Sequence, residues 1–459
     1  MLNDFKKIHF VGIGGYGMSA LAFLLLEEGF DVRGSDLNSS ALTGILERAG
    51  GRVFLGHDAR QVGDAELVIR STAIPDHNPE LTEARLRDIP IWHRSELLAV
   101  LFNEKDGIAI AGTHGKTTVT AMTAFLLDKG GLDPTAVIGG EVPYFEGNAR
   151  LGKSPLLVAE ADESDNSFLR YKPLFALITN IEADHLEHYE GDFHKMVAAY
   201  EEFVNNIKAG GTIFYCSDDL LLKELAPQFR PRKVSYGFSA GARVRGEDIR
   251  TEGLGSRFRF LYNEKVMGEI SLKIPGEHNV RNALGAAAIA LDLGLDFSLI
   301  KEAFSVFNGV RRRFEIIGEA GGIVVVDDYS HHPTEIRAAL AAARGSGRRI
   351  VCLFQLHRFT RTKFLWQEFL GAFDGADLLV LTDIYPASEA PIPGIEAGKL
   401  AVQLKERGLQ QVYHCGDLAE AVTFLQDILR PGDLLLTMGA GDVTKAGQHI
   451  LKAINNIEL

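Results

Sequence analysis

Short apolar runs rich in β-branched residues recur along the chain, each separated from the next by a glycine turn or a helix-like segment. The first block holds "HFVGIG", "DVRGSD" and "LVIRSTAI" and closes with the helix-like "SELLAVLF". The second runs from "IAIAGTHGKTT" through "PLLVAEADESD", "LFALITNIEADH" and "GTIFYC", then a β excursion, to the alanine-rich "NVRNALGAAAIALDLG". Near "NGVRRRFE" a third block starts, with "GGIVVVDDYSHHP", "RRIVCLFQLHRFTRT", "DLLVLTDIYPASEAP" and "DLLLTMGAGD". Strands that are apolar on both faces belong to parallel sheets covered by helices, so the pattern predicts an α/β chain. Its 459 residues fit about three domains. The polar segment "NEKDG", Asn103 to Gly107, marks the first boundary and separates 1–104 from 105–310; the restart near "NGVRRRFE" separates 311–459.

Two glycine turns carry informative spacing. Gly12, Gly14 and Gly17 satisfy G-x-G-x-x-G between a strand and a helix, and Asp36 ends the next strand, where an NAD enzyme keeps a carboxylate for the ribose. Read alone, that turn points to an oxidoreductase. The second turn, "GTHGKTT", holds Gly112, Thr113, His114, Gly115, Lys116, Thr117 and Thr118. G-x-x-G-K-T is a shortened P-loop: backbone N–H groups at a helix start attract phosphate oxygens, the Lys116 ammonium reaches β- and γ-phosphates, and a hydroxyl holds Mg²⁺. The turn predicts a nucleoside triphosphate site. A plain glycine-rich turn with an exposed lysine is the weaker reading, because Lys-Thr stands at the helix start directly after an apolar strand.

Later strands end in acids and imidazoles. "LLVAEADESD" presents Glu160, Asp162, Glu163 and Asp165, and "LITNIEADHLEHYEGD" presents Glu182, Asp184, His185 and His188. Strand carboxyl ends line the ligand crevice of an open parallel sheet, so these groups face the phosphates of the second turn. Hard oxygen ligands with an occasional imidazole suit Mg²⁺ or Mn²⁺; zinc on His185 and His188, or a solvated acidic loop, are the competing readings. The net charge of −13 argues against a nucleic-acid partner, which calls for clustered Lys and Arg. Cys216, Cys352 and Cys415 lie far apart without metal spacing, as in a reducing compartment, and Cys352 reads as core. No apolar run reaches the roughly 18 residues that span a bilayer, and "MLNDFKK" leads into a strand, so a cytoplasmic chain without a membrane partner is expected.

Taken in order, "GTHGKTT", "EADESD", "NIEADH", "GEHNVRNALGA", "RRRFE", "DDYSHHPTE" and "FQLHRFTRT" resemble the motifs of the Mur ligase family over essentially the whole chain, and within it the branch that joins L-alanine to UDP-N-acetylmuramate. The resemblance implies three domains. A Rossmann-like N-terminal domain over 1–104 would hold the UDP-sugar rather than NAD. A central P-loop-type domain over 105–310, with a mostly parallel sheet, would bind ATP. A C-terminal Rossmann-like α/β domain over 311–459 would close on ATP and bind the amino acid. It also implies residue roles: Gly12, Gly14, Gly15, Gly17 and Ser71 around the UDP-sugar, with Asp36 near its nucleoside. Lys116 would meet the γ-phosphate, Thr117 and Glu160 one Mg²⁺ and His185 a second, and Lys116, His185 and Arg313 would form the catalytic set. His278 and Asn279, with Asn282 beside them, fall on the adenine side; Arg313 and Asp328 link the nucleotide to the C-terminal domain. Tyr329, His357 and Arg361 would receive the amino acid, with His331 and Arg358 close by. Outside the family context, Asn279 and Asn282 read as helix-start residues and Arg311 to Arg313 as a solvated basic patch.

The reaction implied is ATP-driven amide formation through an acyl phosphate, with ATP, UDP-N-acetylmuramate and L-alanine as substrates and a monomer or homodimer as the working form. Three positions depart from the family pattern: Ser330 where glycine is common, and Leu356 and Phe359 where proline and tyrosine are usual. The modified lysine that sibling ligases use as an Mg²⁺ ligand has no counterpart; Ala199 and Tyr200 occupy its neighbourhood and the nearest lysine is Lys195. The rival readings are a nicotinamide oxidoreductase, a P-loop binding module, and a sibling ligase that attaches a preformed peptide to the same UDP-sugar.

Overall fold

The apolar runs form the strands of three sheets in the computed structural model, which describes residues 2–164, 166–184 and 186–457. The first sheet has five strands in the order Arg52–Leu55, Asp31–Asp36, Lys7–Val11, Leu67–Arg70, Ile91–His93, all parallel. Lys7–Val11 is central, and Ile8, Phe10 and Val11 have no exposure, as a strand covered on both faces requires. Gly34 lies on the neighbouring strand because a Cβ there would stand 2.5 Å from the Phe10 carbonyl oxygen.

The second sheet has ten strands. Its parallel part runs Arg232–Gly237, Thr212–Cys216, Phe175–Ile178, Asp106–Ala111, Leu156–Glu160, Thr135–Val142. Gly147–Arg150 closes one edge as the antiparallel partner of Thr135–Val142. The predicted β excursion is real: Val244–Glu252, Gly255–Tyr262 and Lys265–Leu272 extend the other edge. The helix Lys116–Lys129 is buried from Thr117 to Leu127, so the turn before it rests on an element that packing holds on all sides.

The third sheet, of six strands, runs Glu315–Ala320, Ile323–Asp328, Asp433–Met438, Arg349–His357, Leu378–Tyr385, Val412–His414; the first two are antiparallel and the rest parallel. Alternate residues of Arg349–His357 enter two separate cores. Cys352 and Phe354 join Ile336, Leu340 and Phe373; Val351 and Leu353 join Leu425, Leu435 and Ile450. A core on each face is the signature of a doubly covered sheet, and Cys352 is core as its sequence context indicates.

The residues group into two compact units, Met1–Glu247 with Arg259–Gly268 and Arg281–Phe307, and Asp248–Phe258 with Glu269–Val280 and Asn308–Leu459. Among the described residues, no helix is long and apolar enough to cross a membrane.

Candidate functional site

The first glycine turn lies between Lys7–Val11 and the helix Tyr16–Glu27. Gly12 takes φ +81°, and a Cβ on it would reach within 2.9 Å of Ile74. Gly14 donates its N–H to Asp36 Oδ2 at 2.9 Å, so Asp36 is built into the turn as well as standing at the end of its strand. Gly15 caps the helix with an ordinary φ of −66°. A Cβ on Gly17 would meet the Arg94 guanidinium at 3.1 Å, and Ser71 accepts the Ile74 N–H at 3.2 Å through its carbonyl in the loop after Leu67–Arg70.

At the second turn glycine is required twice. Gly112 has φ +124° and room for no side chain, since a Cβ would stand 2.1 Å from Thr179 Oγ1; Gly115 has φ +88° and would drive a Cβ to 2.7 Å from Asn282 Oδ1. Asn180 holds the crown of the loop: its Oδ1 accepts the His114 N–H at 2.9 Å and its Nδ2 donates to the His114 carbonyl at 3.0 Å. Thr179 Oγ1 donates to that carbonyl at 2.6 Å. Thr113 Oγ1 accepts the Glu182 N–H at 2.9 Å, and His114 Nε2 lies 3.3 Å from Glu182 Oε2.

Lys116 opens the helix and folds back over the loop. Its Nζ donates to Gly112 O at 2.7 Å and to the two oxygens of buried Glu163 at 2.9 and 2.8 Å. Burial works against the ammonium, but Glu163 and Asp162 outweigh it, and the lysine pKa is raised. Thr117 Oγ1 donates to Glu160 Oε2 at 3.2 Å, while Glu160 Oε1 accepts the Gly139 N–H at 2.6 Å. Thr118 is buried in the same helix. His185 and Asp165 lie outside the described residues. Lys195 pairs with Glu190 on the exposed side of Phe193–Asn205, and Tyr200 of that helix is fully buried.

In the second unit, His278 packs against the left-handed Gly276, and Asn279 Nδ2 donates to Pro275 O at 2.8 Å. Asp328 is buried at the end of Ile323–Asp328, where its oxygens accept the N–H groups of Phe314 and Ser330, each at 2.7 Å. Burial raises the Asp328 pKa, against the opposing pull of Ser330 and Arg313. Ser330 is absent from the left-handed residues, so the departure from glycine carries no backbone strain there. Leu356 is fully buried and Phe359 packs on the same core, so apolar contact holds both.

Around the ends of these strands lies a ring cluster. The Tyr329 ring has the Arg312 and Arg313 guanidinium groups over it at 5.0 and 5.1 Å and meets His331 edge-on at 5.3 Å. His331 lies 6.1 Å from His357, which stacks on Tyr385 at 5.6 Å with 7° between planes. Arg361 Nη1 lies 3.2 Å from His357 Nδ1; a guanidinium only donates, so that nitrogen is the acceptor and carries no proton. Burial, then His331 and the arginines, push His357 down to about 3, and burial pushes His331 down to about 4. Both imidazoles are therefore neutral at pH 7. Arg358 takes φ +69°, with its N–H on Tyr385 O at 2.9 Å.

Family models match nearly the whole chain: "Mur ligase family, catalytic domain" over residues 7–106, "Mur ligase middle domain" over 110–290 and "Mur ligase, glutamate ligase domain" over 312–441. The chain belongs to the Mur ligase family. Among Mur ligases, the UDP-N-acetylmuramate--L-alanine ligase of Geobacter sulfurreducens is 48% identical over 98% of both chains. That of Trichlorobacter lovleyi is 45% identical over 99% of this chain and 100% of its own. The crystal structure of UDP-N-acetylmuramate-alanine ligase from Thermotoga maritima superposes with a TM-score of 0.85 at 32% identity, covering 98% of this chain and 99% of that one. A murein peptide ligase from Psychrobacter arcticus shares the fold, with a TM-score of 0.73 at 24% identity.

Sequence reasoning passes over several residues of these sites. Asn180 stands inside a motif read for its acids, and Glu163, named among the strand-end acids, is not identified there as the partner of Lys116. Gly139 and Tyr385 carry no local signal. Tyr385 reaches His357 because parallel register aligns the two across neighbouring strands.

Proposed function

We propose that this chain joins L-alanine to UDP-N-acetylmuramate in peptidoglycan precursor synthesis, converting ATP to ADP and phosphate. The observation that carries the reading is the 48% identity, over 98% of both chains, to relatives bearing that activity in their names. The Lys116 loop supports it, being shaped for phosphate oxygens at a helix start.

In this reading a lactyl carboxylate oxygen attacks the γ-phosphorus and ADP leaves. The alanine amine then attacks the acyl carbon, phosphate leaves and the amine loses a proton. Lys116 turns from Glu163 to the transferring phosphoryl group and offsets the charge that grows there. His278, Asn279 and Asn282 hold the adenine side, and Arg313 and Asp328 link the nucleotide to the C-terminal domain. Gly12, Gly14, Gly15, Gly17, Asp36 and Ser71 hold the UDP-sugar. Arg361 grips the alanine carboxylate, oriented by His357, with Tyr329, His331 and Arg358 around it. Thr117 and Glu160 offer a hydroxyl and a carboxylate 3.2 Å apart at the helix start, hard oxygens that fit one Mg²⁺, with Mn²⁺ as a substitute, and His185 would serve a second ion. Bound there, the ion would screen the phosphate oxygens. With ATP and a UDP-sugar as substrates, the reaction belongs in the cytoplasm.

The test is to incubate the protein with Mg-ATP, UDP-N-acetylmuramate and a mixture of amino acids, then follow phosphate and product mass. The expected result is alanine-dependent phosphate release and a product heavier by one alanyl residue. A product formed only with a preformed peptide assigns the sibling reaction instead, and phosphate release that no amino acid stimulates overturns the reading.

A further inference from the structure

Four side chains outside the proposed substrate contacts meet in one buried cluster on the first sheet. Glu80 is fully buried on the first turn of the helix Pro79–Leu86, whose N-cap Asn78 accepts the Glu80 N–H at 2.9 Å. The Ser35 hydroxyl lies 2.8 Å from each Glu80 oxygen, His57 Nδ1 lies 2.7 Å from Oε1, and His9 Nε2 contacts Oε2. His9, Ser35 and Glu80 have no exposure, and the His57 side chain keeps 15%.

A carboxylate this deep is costly unless donors surround it, and here three side-chain donors and a helix N-terminus do so. Among the described residues His9 Nδ1 has no partner, so His9 donates through Nε2 and leaves Nδ1 bare, because a buried N–H without an acceptor is the rarer arrangement. So complete a shell around one carboxylate fixes the atoms bonded to it.

Those atoms lead to the first glycine turn. The Ser35 carbonyl accepts the N–H groups of Gly12 and Ile13 at 2.8 and 2.9 Å, and the next residue, Asp36, accepts the Gly14 N–H at 2.9 Å. Three amides of the turn thus hang on two consecutive residues, one of which is clamped by Glu80 through its side chain. On the other side, Ile74 meets Gly12 from the loop that leads into the Glu80 helix.

We infer that Glu80 is a positioning residue for the UDP-sugar: through Ser35 it sets where the first glycine turn points its N–H groups. The inference rests on the proposal that this turn holds the UDP-sugar. Ser35→Ala removes the hydroxyl and spares the carbonyl, and Glu80→Gln keeps the shape and discards the charge. Each raises the KM for UDP-N-acetylmuramate about tenfold, the scale of one lost hydrogen bond to a charged group, while kcat and the KM values for ATP and alanine stay within about twofold. A merely structural role lowers the melting temperature and the active fraction but moves no single KM. His57→Gln, at the part-exposed rim, gives a smaller rise in the same KM and serves if the buried variants do not fold.

Gly14→Ala separates the two readings, since its Cβ would stand 2.9 Å from Asp36 Oδ2 and disturb the turn directly. If Gly14→Ala leaves the UDP-N-acetylmuramate KM unchanged, the turn is not the UDP-sugar site. If Gly14→Ala raises it while the Ser35, Glu80 and His57 variants do not, the role of Glu80 alone is overturned.

Discussion

Lys116 is a part-buried cation with the buried Glu163 bonded to it at 2.8 and 2.9 Å, whereas His331 and His357 are part-buried with arginines around them and give up their protons. Both places sit at strand ends of α/β sheets, and both pack ionisable groups against apolar surroundings. What differs is the partner. An acid beside the lysine makes charge the cheaper state; beside the imidazoles the acid, Glu335, lies 3.8 Å from His331 and burial prevails. The chain therefore keeps a ready cation where phosphate chemistry is proposed, and uncharged acceptors where an amine is proposed to arrive.

Lys116→Ala tests the first half and carries the largest expected effect. Turnover by phosphate release falls by about 10³ or more, since the lost charge acts on the transferring phosphoryl group. The melting temperature falls as well, because Glu163 is left buried without its counter-ion. Adding Glu163→Gln recovers the melting temperature and not the turnover. If the single variant melts like the parent, Glu163 is not balanced by Lys116 and the comparison fails at its root.

Arg361→Lys tests the other half. Its guanidinium binds His357 now and is proposed to hold a carboxylate bidentately, which an ammonium does not reproduce. The alanine KM rises about tenfold or more, with the KM values for ATP and UDP-sugar within about twofold. An equal rise for ATP removes Arg361 from the amino-acid site.

Gly115 and Gly15 hold the same topological place, each capping the helix after its turn, but with φ of +88° and −66°. Gly115→Ala is strained and crowds Asn282, so it lowers the melting temperature by several degrees; Gly15→Ala, whose nearest neighbour would be 3.6 Å away, changes it by about a degree or less. Equal shifts would show that the loop backbone plays no part in keeping the lysine in place.

The smallest effect is on pH dependence. The folded values of His331 and His357, about 4 and about 3, lie below the ordinary 6.5, so the unfolded chain takes up protons first as pH falls. Their contribution to stability is complete above about pH 6.5 and is lost progressively as pH drops toward 4 and 3. Melting temperature measured from pH 7 to pH 4.5 declines less steeply in His331→Gln. An unchanged slope would mean that His331 is not held neutral in the fold.

The two regions also differ in how far they could be read from sequence. The strands, the two glycine turns and the placing of Lys116 depend on neighbours in the chain, and local pattern reports them. Among the acids that follow, spacing alone could not say that Glu163 reaches the lysine while Glu160 reaches Thr117. Asn180 and Thr179 are hidden in the same way, since the bonds that hold the loop join residues 66 and 65 apart in sequence, beyond the ends of neighbouring strands. The Glu80 cluster was not read at all: His9, Ser35, His57 and Glu80 are ordinary residues until the sheet brings them together. The departures at Ser330, Leu356 and Phe359 were visible as departures, but only packing and backbone angle show that they are accommodated.

The stacked pair of His357 and Tyr385 draws one ring from each of two neighbouring strand-and-helix crossovers, because their strands run parallel and in register. The segment from His357 to Arg361, with its imidazole and guanidinium, lies wholly in one crossover; the surface on which that imidazole rests belongs to the other. Heritable change can therefore reach the two separately. A substitution at position 385 reshapes the floor beneath the imidazole without replacing any residue from His357 to Arg361, so a lineage built on this sheet can retune the proposed amino-acid pocket while the segment proposed to hold the carboxylate keeps its sequence.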